Sequence, residues 1–139
     1  MTAHVRLKRV LAAGAIAVTT SLMWSDTAIL WWSNIVSFFL RVNYEATTSV
    51  MSHRQSGDAD LHAVLWGVTA TLVLLACTTR PQRLWAIVFL GTWSVFVEMS
   101  QPWFTELRSR QATDLIGNAI GLVGIFAIFE FVTRRRGHN

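Results

Sequence analysis

Three pairs of polar residues hold most of the chemistry available to this chain. Asp58 and His62 stand four apart, Glu98 and Gln101 three apart, and Asp114 and Asn118 four apart. Residues at those spacings share one face of a helix, so each pair points two polar side chains the same way. Arg108 and Arg110 lie between the second pair and the third. An aspartate beside a histidine can orient the imidazole as a general base, and Glu98 would then act as an acid or a second base. Gln101 and Asn118 offer amides to sugar or peptide groups. An arginine offers a two-pronged contact to phosphate or carboxylate. No serine or cysteine stands in a recognisable nucleophile motif, so water would have to attack in any hydrolysis. One histidine is thin support for a metal held by His62 with Asp58, Glu98 or Asp114, and neither a metal nor another cofactor is expected.

Each residue also has a plainer reading. Asp58 and Asp114 precede apolar blocks, where a carboxylate serves equally well as a helix N-cap. A single buried histidine is more often a packing residue than a catalyst. Loop arginines are usually solvated. Taken together the plain readings weaken, because six polar side chains at three helix ends have no need to coincide. A polar network that locks the helices to one another is the strongest structural alternative.

The elements that must position these residues are apolar and long. Of 139 residues, 53% are hydrophobic and only 14% charged, against about 25% charged in a soluble domain. The length fits one domain, residues 1–139. The apolar residues fall in blocks of membrane-span length. Four spans are expected, at about residues 5–24, 61–79, 84–101 and 114–132, which makes the fold an all-α polytopic membrane bundle. The first resembles an uncleaved signal anchor, since no small-residue cleavage site follows it. Residues 28–40 are too short to cross, at about 20 Å as a helix. Their Trp31 and Trp32 favour an interfacial or re-entrant helix. Arg80-Pro81-Gln82-Arg83 reads as a tight polar turn in which proline stops a helix. Cys77, the only cysteine, reads as a packing residue and excludes an internal disulfide.

Charge then gives an orientation. With the N-terminus inside, Arg6, Lys8, Arg9, Arg80, Arg83, Arg134, Arg135 and Arg136 all lie on the inner side. Only Arg41, Arg54, Arg108 and Arg110 lie outside, in longer loops, as the positive-inside rule requires. Basic residues flanking apolar blocks exclude nucleic acid as the reason for the net charge of +4. The acidic residues collect on the outer side, except Glu130, which lies one turn from Arg134 and reads as its salt-bridge partner or a helix end. Glu98 ends an uncharged run from Leu84 to Val97. An ionisable group at such depth needs a partner or a water-filled cavity. Gly117, Gly121 and Gly124 form a small-residue seam for close helix packing or dimerisation.

The order of these residues resembles the VanZ-like family of bacterial membrane proteins. The resemblance rests on Asp58-x-x-x-His62, Glu98-x-x-Gln101, an arginine in the next loop, and Asp114-x-x-x-Asn118-x-x-Gly121. It covers about half the chain, from Asp58 to Gly124. Ala59 departs from the family's usual lysine, and the loop arginine is Arg108 by spacing, with Arg110 as its alternative. The resemblance implies a cell-envelope protein of the bacterial cytoplasmic membrane and a link to resistance against the glycopeptide antibiotic teicoplanin. It supplies no settled activity.

The expected function is therefore a multi-pass envelope protein with both termini cytoplasmic. An outer-facing pocket would bind a lipid-linked glycan, a lipid headgroup or a glycopeptide-type antibiotic among the membrane lipids. Gln101, Arg108, Arg110, Asp114 and Asn118 would bind the ligand. The alternatives are a membrane enzyme using Asp58, His62 and Glu98, or a structural subunit acting through a protein partner or as a homo-oligomer.

Overall fold

The computed structural model describes residues 3–40, 58–106 and 111–136, and among them the chain is helical with no strand. Five α-helices follow in order: α1 Ala3–Met23, α2 Asp26–Leu40, α3 Ala59–Ala76, α4 Arg80–Ser100 and α5 Ala112–Arg136, with a 3₁₀ turn at Gln101–Trp103.

Local chemistry sets the breaks. Ser25 interrupts α1 and α2, and its hydroxyl accepts from the Thr27 N–H at 3.2 Å. Cys77 takes an extended backbone and ends α3. Thr79 and Gln82 form a capping box that opens α4, and Pro81 sits in the first turn. Arg80–Arg83 is therefore the start of a helix and not the turn that the proline suggests. Proline is suited to a first turn because it lacks only an N–H that has no partner there. The turn proper is residues 77–79.

Three helical segments are long and apolar enough to cross a membrane: Ala59–Ala76, Arg80–Trp103 and Ala112–Arg135. The fourth expected span, α1, does not join them. Its first turns hold Arg6, Lys8 and Arg9, leaving an apolar stretch from Val10 of about 21 Å against a core of about 30 Å. α2 has 15 residues, about 22 Å, and is likewise short. Large apolar side chains face outward on the long helices, with Val88 and Phe89 on α4 and Ile120 and Val123 on α5 all exposed. Helices that are apolar on both faces suit a lipid surrounding.

α3 and α5 pack most extensively and run parallel. Facing residues keep a constant offset: Ala59 with Gly117, Ala63 with Gly121. A Cβ on Gly117 would overlap the Ala59 carbonyl oxygen and lie 2.9 Å from the Ala59 Cα. One on Gly121 would overlap the Ala63 oxygen. Gly67 joins the seam from the α3 side, so small residues line both helices. Gly124 does not take part: a Cβ there meets nothing within 4 Å. α1 crosses the other side of α3, where the Thr19 and Thr69 hydroxyls meet at 2.8 Å. Trp93 of α4 donates to Thr20 at 3.0 Å. Met23, Leu61, Trp66, Ala70, Leu90, Val97 and Leu122 form the apolar core.

Topology brings the end of α1, the start of α3, the end of α4 and the start of α5 to one end of the bundle. At the opposite end Arg83 Nε donates to Glu130 at 2.7 Å, and Arg80 Nε lies 3.4 Å from the same carboxylate. Glu130 thus pairs across helices to α4, and not simply with Arg134 on its own helix.

Candidate functional site

The polar residues of the three sequence pairs meet at the first end. Asp58, His62, Glu98, Gln101, Asp114 and Asn118 are each no more than 3% exposed. Arg108 and Arg110 lie outside the described residues.

His62 is the centre. It sits on the second turn of α3, where the glycine seam lets α5 approach closely. Its Nδ1 is 2.8 Å from Asn118 Oδ1. Its Nε2 is 3.6 Å from Asp58 Oδ1, and Glu98 Oε2 is 3.7 Å from Nδ1. An imidazole is thus held by one amide and flanked by two carboxylates. Glu98 also accepts from the Gln111 backbone N–H at 3.4 Å, which ties the end of α4 to the residue before α5.

The two aspartates are not helix caps in the usual sense. Asp58 occupies the N-cap position of α3, yet its side chain makes no capping hydrogen bond. Its backbone N–H instead donates to Asp114 Oδ1 at 3.2 Å. Asp114 is the third residue of α5, in its first turn. It fastens the start of α3 to the start of α5 rather than capping its own helix.

Several buried side chains retain hydrogen-bonding capacity. His62 Nε2, Trp66 Nε1, Asn118 Nδ2 and both amide atoms of Gln101 have no hydrogen-bond partner among the described residues. Native interiors pair nearly all such atoms, and each exception marks a place where something polar belongs. Gln101 is 0% exposed with neither end of its amide engaged. Trp66, one turn beyond His62 on the same face of α3, was not singled out by the sequence, although its spacing from His62 was available to find it.

A rim of tryptophan contacts surrounds this end. Trp24 donates to Ser100 at 3.0 Å and stacks on Phe104 with centroids 4.6 Å apart. Trp32 donates to Asp60 at 2.8 Å, docking α2 onto the start of α3. Asp26 at the head of α2 accepts from the Glu106 N–H at 3.0 Å. Below the polar site, an apolar groove of about 450 Å³ follows the α3–α5 seam past Ala63, Gly67, Gly121 and Gly124.

These groups can position a proton on His62, accept from or donate to a polar ligand, and supply negative charge at a buried point. Comparison with protein-family models, with curated proteins and with solved structures finds no match to this chain.

Proposed function

We propose that the protein is a VanZ-like, four-span protein of the bacterial cytoplasmic membrane whose polar end faces outward and binds the polar head of a lipid-linked envelope molecule. In this reading α1 is the additional span, its basic side chains reaching back to the headgroups on the inner side. α2 lies at the outer interface, held by Trp31 and Trp32. Gln101 and Asn118 hydrogen-bond sugar or amide groups, and Arg108 or Arg110 holds a phosphate. A glycopeptide antibiotic engaging such a headgroup would meet the protein at the same level, which gives the teicoplanin link a place.

The observation that carries this reading is the unmet hydrogen-bonding capacity of His62, Trp66, Gln101 and Asn118. A network evolved only to lock helices would satisfy its own members, because a half-satisfied network is worse than an apolar core. A headgroup with several hydroxyl, amide or phosphate oxygens supplies what is missing.

One geometric feature favours an enzyme as the second reading. His62 lies between Asp58 and Glu98, at 3.6 and 3.7 Å, a layout suited to moving a proton onto or off a bound group. A mass-spectrometric profile of lipid-linked precursors separates the two. It compares cells lacking the protein, cells with it, and cells with His62→Ala at equal membrane abundance. Binding alone predicts identical profiles together with weaker retention of a headgroup-bearing lipid by purified His62→Ala protein. A product found only with the wild-type chain assigns chemistry to His62. Equal lipid retention by wild-type and His62→Ala protein, with identical profiles, would overturn both readings and leave a structural lock.

A further inference from the structure

We propose that Asp58, His62 and Asp114 form a binding site for one divalent transition-metal ion, with zinc the ion whose chemistry they match. The three residues each offer one ligand atom, and those atoms lie within 4.8 Å of one another. All three are buried, at 3%, 1% and 2% exposure.

The state of His62 is the independent support. Asn118 Oδ1, 2.8 Å from Nδ1, is an oxygen that can only accept, so Nδ1 carries the proton. In the neutral ring the lone pair is then on Nε2, which is buried and has no hydrogen-bond partner among the described residues. Across from it stands Asp58 Oδ1 at 3.6 Å. That is too long for a hydrogen bond. It is close to the separation of two ligands on one ion. Donors each about 2.1 Å from a tetrahedral zinc lie roughly 3.4 Å apart. The Asp114 ligand atom lies within 4.8 Å of the other two, and each carboxylate has a second oxygen for its other contacts.

Asn118 supplies the outer contact that metal-binding histidines ordinarily have: an acceptor for the other ring N–H, which fixes tautomer and ring orientation. The imidazole nitrogen excludes magnesium and calcium, which take oxygen ligands. A set of one imidazole and two carboxylates suits zinc and leaves a coordination position for water or an anionic oxygen. A single histidine in the ligand set gave little ground for a metal from sequence. The ground comes from where Nε2 points, and it holds whichever headgroup the site accepts.

The test uses the full chain purified in detergent with a histidine-free tag, stripped with chelator and titrated with zinc. Bound metal is counted by elemental mass spectrometry after gel filtration. The expected result is about one zinc per chain for the wild type and for Gly124→Ala, and background for His62→Ala. Asn118→Ala is expected to bind about 10–100-fold more weakly. Asn118→Asp, which keeps an acceptor at Nδ1, is expected to restore binding. Cobalt titrated into the wild type reads the same site without any variant, through the visible bands of a low-coordinate nitrogen–oxygen site. Wild-type protein that elutes folded yet takes up no more zinc than His62→Ala, and gives no such cobalt bands, overturns the proposal. Zinc uptake in lipid-free detergent needs no headgroup. Its failure therefore leaves the headgroup reading standing, and a failed lipid assay leaves the metal site standing.

Discussion

The two ends of the bundle use similar residues to different effect. At one end Glu130 is buried to 8% exposure, and its carboxylate is met by Arg83 at 2.7 Å and Arg80 at 3.4 Å. Beside it, Thr79 and Gln82 complete a capping box. At the other end His62, Gln101 and Asn118 are more deeply buried, yet each keeps an atom without a partner among the described residues. Charge at a helix end is therefore not in itself a sign of function. Glu130 shows what a finished structural contact looks like, and the His62 cluster differs from it by being incomplete. That incompleteness costs stability, a cost that the proposed ligand would offset.

The largest expected effect tests what holds the incomplete end together. Gly117→Ala and Gly121→Ala each drive a Cβ into a backbone carbonyl of α3, an obstacle that cannot rotate away. Overpacking of this kind costs about 1–3 kcal/mol, and the double variant is expected to lose about 3 kcal/mol or more. Gly124→Ala meets nothing within 4 Å and is expected to stay within about 0.5 kcal/mol of wild type. Denaturant unfolding in mixed micelles measures both. If the two seam variants match Gly124→Ala, the close approach that brings Asn118 to His62 does not exist.

The next effect belongs to the finished end. Glu130→Ala strips a charge-assisted hydrogen bond from Arg83, and about 1.5–3 kcal/mol is expected to go with it. Ligand retention and zinc uptake should be unchanged. Combining Glu130→Gln with Arg83→Gln should recover part of the loss, because neither partner is then left as an unpaired charge. A loss of zinc or ligand binding in Glu130→Ala would erase the contrast between the ends.

Much of this was readable from the residues themselves. Apolar block length marked α3, α4 and α5, and the i, i+3 and i, i+4 spacings placed the polar pairs on single faces. What failed to read was local competition. Pro81 stops a helix by rule, but Thr79 and Gln82 turn the same stretch into a helix start. The α1 block reads as a span by its continuous apolar residues, yet its basic first turns keep it outside the three helices that are long and apolar enough to cross by composition. Gly124 continued the glycine spacing, yet a Cβ there meets nothing within 4 Å. The partner side of the seam, Ala59, Ala63 and Gly67, escaped because alanines carry no signal until the facing helix is known. Trp66 escaped for a related reason: an indole in an apolar block reads as packing, and only the pairing of its N–H decides otherwise.

The smallest expected effect is also the sharpest, because its sign carries the answer. Gln101 is fully buried and neither amide atom has a partner among the described residues. Leucine has a similar volume and no polar atoms to leave unpaired. Removing a buried unsatisfied amide is worth about 1 kcal/mol. Gln101→Leu is therefore expected to raise unfolding stability by about that amount while weakening retention of a headgroup-bearing lipid. A protein that becomes more stable as it loses binding has given up a site rather than a strut. A locking network would respond in the opposite direction, because Gln101 would then be holding helices together and its loss would lower stability. The same substitution should leave the zinc count near one per chain, since Gln101 is not among the three ligands. Stability, lipid retention and metal content measured on this single variant thus separate the lock, the headgroup site and the metal site from one another.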